Sequence, residues 1–214
     1  MRDNIENGAV SIIIMAKAPV PGRVKSRLCP PCSPGEAALL AKAAFRDTVE
    51  TAGAVPGTRL VVSLDGPAGA WLPRGVLVAP QRGQDLAERL AAAFEDVGGP
   101  ALAIGMDTPQ LAPALLTRAI RMLEQTDAVL GPAHDGGYWA IGLKRADARV
   151  FWNIPMSTSS TAALQRARLD ELGLRCGLLP ILRDVDTFAD AVAVAAEAPS
   201  SRFSEAVRLL GTRV

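Results

Sequence analysis

The sequence predicts an α/β protein: one domain built on a mostly parallel, mixed sheet with helices on both faces. Three observations carry that expectation. Short apolar runs rich in β-branched residues alternate with longer segments of helical periodicity. Such alternation implies right-handed crossovers that bury the sheet between helix layers. The third is one connection too short for a crossover helix, which requires an antiparallel pair within the sheet.

The elements follow in order. VSIIIM at 10–15 is a continuous apolar run suited to a central strand covered on both faces. After a loop over 16–34, Ser33, Pro34 and Glu36 supply an N-cap, a first-turn proline and a capping-box acid for a helix running to Gly53. TRLVVSL from Thr58 and GVLVAP at 75–80 read as strands. From Asp85, residues Leu86, Leu90, Ala93, Phe94 and Val97 fall at helical spacing, and Gly98 and Gly99 end the helix. ALAIG at 101–105, a helix over 113–125 and AVLG at 128–131 continue the pattern. YWAIGL at 138–143 follows AVLG after six residues, so these strands are antiparallel neighbours. A helix over 162–172, a strand near Leu178 and a helix opened by Thr187 with Asp190 at the capping-box position complete the series. Residues 1–9 are expected to be an N-terminal extension, 10–198 the domain, and 199–214 a helical C-terminal segment.

Composition narrows the class. The chain has 214 residues, 49% hydrophobic, with 23 Lys plus Arg against 22 Asp plus Glu. That balance argues against a nucleic-acid partner, which usually demands a basic excess. No apolar run suggests a membrane span, and the acidic opening MRDNIENGAV does not resemble a signal peptide, so a cytoplasmic protein is expected. Three cysteines make no disulfide framework. Cys29 and Cys32 form one CxxC, and Cys176 with His134 could complete a Cys3His set, but zinc sites normally show two local pairs. Two reduced thiols in a loop are the simpler reading.

Ligands of open α/β sheets bind outside the carboxyl ends of the strands. Four loops there are chemically unusual. AKAPVPGRVKSRL sets Lys17, Arg23, Lys25 and Arg27 on a turn-rich backbone, as a di- or triphosphate would require, although it is no Walker A loop. In GMDTPQL, Asp107 directly follows a strand and could hold Mg2+ or Mn2+ against phosphates, or could cap the next helix. PAHDGGYW places His134 and Asp135 beside two glycines, a pattern that also makes a tight turn. In RDVDTFAD, Asp184 and Asp186 at spacing two fall on one side of an extended segment, unless Asp186 or Thr187 merely caps the last helix.

Taken together, MAKAPVPGRVKSRL, GMDTPQL, PAHDGGYWAIGL and DVDT resemble, over about residues 10–198, a bacterial family of glycosyltransferase candidates with the nucleotide-diphosphosugar transferase (GT-A) fold. KSRL and DVDT are also similar to motifs of guanylyltransferases that activate phospholactate or phosphoenolpyruvate. The sequence departs from the pyrophosphorylases in lacking a GxGxR loop, and from many glycosyltransferases in having a single Asp in GMDTP. The resemblance implies a nucleotide whose phosphates rest on Arg23, Lys25 and Arg27, with Lys17 nearby, and a Mg2+ or Mn2+ ion on Asp107; Asp186 is the candidate for a second metal ligand. Gln81, Arg82 and Gln84 would then contact the base. Gly136, Gly137 and Tyr138 would line the acceptor side, and Asp135 and Lys25 would be the catalytic groups, Asp135 positioning or deprotonating the acceptor.

The expected activity is glycosyl transfer from a nucleotide diphosphosugar to a small acceptor. The alternatives are nucleotidyl transfer from a nucleoside triphosphate to a phosphorylated metabolite, and a nucleotide-binding module without catalysis.

Overall fold

The computed structural model describes residues 9–211. The extension expected over 1–9 therefore lies, up to residue 8, outside the described residues, as do the last three of 199–214. Within them, seven strands form one sheet: β1 (Val10–Lys17), β2 (Thr58–Asp65), β3 (Leu77–Pro80), β4 (Ala101–Gly105), β5 (Ala128–Pro132), β6 (Tyr138–Leu143) and β7 (Cys176–Leu178). Six α-helices accompany them: α1 (Pro34–Gly53), α2 (Leu86–Val97), α3 (Pro113–Gln125), α4 (Thr161–Glu171), α5 (Phe188–Glu197) and α6 (Arg202–Gly211).

The strand order is β3-β2-β1-β4-β6-β5-β7. β6 alone runs against the rest, pairing antiparallel with both β4 and β5. The short 132–138 connection forces that reversal, and it brings the start of β6 to the same end of the sheet as the carboxyl ends of the parallel strands. From β1 the chain winds outward through β2 to β3, then returns to lay β4 on the other side of β1. The crevice between β1 and β4 is thus the switch point at which open α/β sheets bind ligands.

Alternation along β1 shows why the sheet is covered twice. Ile12 and Ile14 join Phe45, Leu102, Ile104 and Leu116 beneath α1 and α3. Ile13, on the opposite face, joins Leu90, Phe94, Leu130, Ile141 and Phe151 beneath α2 and α4. A third cluster packs α5 and α6 onto α1 through Leu40, Val194, Phe203 and Val207. Buried Asp47 of α1 ties this layer down by accepting from the Phe203 backbone N–H at 2.8 Å and pairing with Arg202 at 3.1 Å.

The local signals act as the sequence suggested. Ser33 and Glu36 form a reciprocal capping box on α1, and Thr187 and Asp190 form one on α5. α2 starts at the Asp85 cap and stops at Gly98, φ 61°. No helix among the described residues is long and apolar enough to cross a membrane.

Candidate functional site

The loop after β1 is held in place by Leu28, fully buried within the short helical turn Ser26–Leu28. Lys25 enters that turn with φ 48°, a left-handed conformation that costs a non-glycine residue energy and aims its side chain inward. Its Nζ lies 2.7 Å from Asp107 Oδ2 and 3.1 Å from Asp186 Oδ1. Arg27 Nη1 lies 3.0 Å from Asp186 Oδ2. Burial pulls the Lys25 ammonium toward deprotonation, but attraction to Asp107 and Asp186 outweighs it and holds its pKa above the ordinary lysine value. Lys17 and Arg23 also border the cleft, both exposed.

Asp107 does not cap α3, because that helix begins at Pro113 from Ala112 without a side-chain cap. Its carbonyl instead accepts from the Val185 N–H at 3.0 Å, docking the 183–187 segment against the end of β4. Val185 is buried, so the flanking Asp184 and Asp186 both face outward into the cleft. Asp186 is likewise free of capping duty, since Thr187 caps α5. Asp107, Asp184 and Asp186 each offer an oxygen, and these lie within 4.8 Å of one another. Burial, followed by repulsion from Asp107, Asp135 and Asp186, pushes the Asp184 carboxyl up to about 6. Three carboxylate oxygens gathered this closely are a hard donor set that a divalent cation fits. Asp184 was paired with Asp186 in the sequence pattern but not among the expected metal ligands.

On the far side of β4, Asp135 Oδ1 accepts from the Gly137 N–H at 2.7 Å, and Ala133 N–H donates to the Gly137 carbonyl at 2.8 Å. The tight turn is real, yet only one carboxylate oxygen is committed to it. Gly136, φ 88°, sits against the Ser159 backbone, where a Cβ would collide with the carbonyl oxygen. Tyr138 packs beside Met156 with its hydroxyl 3.4 Å from Gln165 Oε1, and burial pushes its phenol up. Asp135, Gly137, Tyr138, Met156 and Thr161 border the cleft, while Gly136 supports it from behind.

At the β2–β3 end the expected base contacts separate. Gln81 borders the cleft, but its Nε2 is spent on the carbonyls of Ala16 (3.1 Å) and Ser63 (2.9 Å). Arg82 and Gln84 do not border it: Arg82 pairs with Asp96 on the surface at 2.6 Å, and the Gln84 backbone N–H donates to Glu88. Asp65 and Arg89, paired at 3.0 Å, occupy that end instead. Asp65 is the last residue of β2, and Asp107 lies just past the end of β4, so an acid at a strand's carboxyl end was a signal the sequence offered. His134 and the cysteines stand apart from the cleft, and the three thiols are free. The cleft encloses about 590 Å3.

Residues 41–158, more than half of the chain, match the model of a family described as "Uncharacterized protein conserved in bacteria (DUF2064)". The chain belongs to the DUF2064 family. No functionally curated protein matches it. Among solved structures, the DUF2064 chain is similar to a candidate nucleotide-diphospho-sugar transferase from Desulfovibrio desulfuricans G20, with 28% identity, 95% of each chain covered and a TM-score of 0.85. CMP:2-keto-3-deoxy-manno-octonic acid synthetase complexed with CTP shares the fold at 15% identity and TM-score 0.61, covering 89% of this chain and 99% of its own. So does Rv0371c from Mycobacterium tuberculosis H37Rv in complex with manganese, at 20% identity and TM-score 0.56, with 87% and 97% covered. The fold is that of the nucleotide-diphospho-sugar transferases.

Proposed function

We propose that the chain is a metal-dependent transferase with a nucleotide-activated donor, moving a glycosyl group from a nucleotide diphosphosugar to a small acceptor. One observation carries this reading. At the switch point between β1 and β4, three carboxylates able to share a cation stand directly beside Lys25 and Arg27. A diphosphate needs both kinds of partner, cations for its oxygens and a metal for the charge it gains on leaving. The likeness to a nucleotide-diphospho-sugar transferase candidate supports it.

Asp107, Asp184 and Asp186 would hold Mg2+ or Mn2+, which supplies positive charge to the leaving diphosphate. Lys25 and Arg27, with Lys17 and Arg23 at the rim, neutralise phosphate oxygens. The end lined by Asp65, Gln81 and Arg89 receives the nucleoside. Asp135 faces the acceptor with its second oxygen uncommitted. The acceptor hydroxyl oxygen bonds to the anomeric carbon as the bond from that carbon to the diphosphate oxygen breaks. The electron pair leaves with the nucleoside diphosphate, and the hydroxyl proton passes to the Asp135 carboxylate and on to water.

The test is a thermal-shift panel of nucleotide sugars and nucleoside triphosphates with and without Mn2+, followed by product analysis. A ligand that binds only the native state raises its stability. Nucleoside diphosphate release on adding an acceptor supports glycosyl transfer. Pyrophosphate release from a triphosphate replaces it with nucleotidyl transfer, and binding without turnover in a broad acceptor screen leaves a binding module.

A further inference from the structure

We infer that the acceptor is an uncharged or cationic alcohol with an apolar body, and that phosphorylated or carboxylated acceptors are rejected by charge. The inference rests on the transferase reading and names its acceptor class. The strand order spreads the cleft from β3 to β6, with the phosphate-binding loop and acid cluster between them. Every Lys or Arg bordering the cleft, among the described residues, comes from the end of β1, the loop after it or α2: Lys17, Arg23, Lys25, Arg27 and Arg89. The β6 side contributes none. It offers Asp135, Tyr138, Met156, Ser157 and Thr161.

Charge then decides between acceptors. The cleft as a whole balances five carboxylates, Asp65, Asp107, Asp135, Asp184 and Asp186, against the five cations, but the β6 side contributes Asp135 and no cation. A divalent cation and the donor's diphosphate would largely offset one another, and neither would place a positive group on the β6 side. An anionic acceptor arriving at the β6 side would meet this field with no arginine or lysine to receive it, and unpaired like charges are a common device of specificity. Met15, Tyr138 and Met156, packed on the core cluster beneath α2 and α4, provide the apolar contact. The same arrangement disfavours a phosphorylated metabolite as the substrate of this cleft.

The experiment has two arms. In the first, Ser157→Cys is introduced with Cys29→Ser and Cys176→Ser, and the thiol at position 157 is reacted with cationic and anionic methanethiosulfonates. Each rate is divided by the rate with the same thiol in the unfolded chain. Ser157 is exposed and takes no part in the proposed chemistry. A cationic reagent about tenfold faster than the anionic one is expected from like-charge exclusion at such a wall, and the preference should survive Mn2+ plus a nucleoside diphosphate. Equal rates, or a faster anionic reagent, overturn the inference whatever donor the protein uses. In the second arm, benzyl alcohol is compared with 4-(hydroxymethyl)benzoate as acceptor for whichever donor gives a Mn2+-dependent thermal shift. An equal or higher kcat/KM for the carboxylate overturns the acceptor class while leaving the transferase reading standing. Loss of any Mn2+-dependent nucleotide shift overturns that reading instead, and the thiol rates still report the field.

Discussion

Lys25→Met tests the electrostatic frame of the cleft without disturbing its shape. Methionine keeps the length and apolar stem of lysine, and it meets the same left-handed backbone cost at φ 48°. What it removes is the ammonium between Asp107 and Asp186. Each charge-assisted hydrogen bond is worth about 1.5–3 kcal/mol, and the burial penalty lysine carries is recovered on substitution, so the net loss should lie near 3 kcal/mol. The attraction is present at neutral pH, because a lysine whose pKa is raised on folding stabilises the protein until the pH climbs through that raised value. For a chain of this size about 3 kcal/mol corresponds to a Tm lower by about 6–12 °C. The assay is thermal unfolding in EDTA and across a Mn2+ titration. In EDTA the variant should melt lower by that amount. With Mn2+ it should gain more than the wild type, since Lys25 no longer competes for Asp107 and Asp186 and the ion takes over the charge it supplied. A Tm in EDTA within about 2 °C of wild type, below the smallest shift worked above, or an identical Mn2+ response, would refute the claim that Lys25 balances the acid cluster.

Asp184→Asn should behave oppositely in the absence of metal. The wild-type carboxyl, pushed up to about 6, costs stability once ionised, so metal-free stability falls as pH rises through that value. The variant should therefore melt higher than wild type in EDTA at pH 8, the gap closing as the pH falls towards about 4, and should lose much of its Mn2+ response. Asp135→Asn keeps an oxygen for the Gly137 N–H, so folding and donor affinity should hold while kcat falls by about 10^2–10^4, the usual worth of a general base; near wild-type turnover would return Asp135 to a turn role. Gly136→Ala should cost about 1–3 kcal/mol in backbone strain alone, read as a lower Tm, because φ 88° and the Ser159 carbonyl leave no room for a Cβ.

The contrast between what the sequence revealed and what it concealed follows the range of the interactions. Caps such as Ser33 with Glu36 and Thr187 with Asp190 span three residues and are written in the local pattern. The antiparallel placement of β6 follows from one short connection. Strand order is not local, and neither is the meeting of Lys25 with Asp107 and Asp186 across 82 and 161 residues. Sequence spacing suggested that Lys25 meets phosphate; the fold shows that carboxylates hold it first. Gln81 illustrates the converse limit. Its amide suits a base edge, but its Nε2 is spent on the carbonyls of Ala16 in β1 and Ser63 in β2. Asp65 borders the cleft because β2 ends there, and Arg89 because α2 begins there, a meeting that strand order alone decides.

The central claim is that the carboxylate cluster holds a divalent cation against a nucleotide's diphosphate. It is tested most directly by titrating nucleoside diphosphates, and the matching nucleosides, into wild type and Asp107→Asn by calorimetry with Mn2+ or EDTA. The account predicts that a diphosphate binds the wild type tightly only with Mn2+, that its nucleoside binds weakly and without regard to metal, and that the folded variant loses the Mn2+ dependence. Diphosphate binding that is equally tight in EDTA, or undiminished in Asp107→Asn with Mn2+, would contradict it.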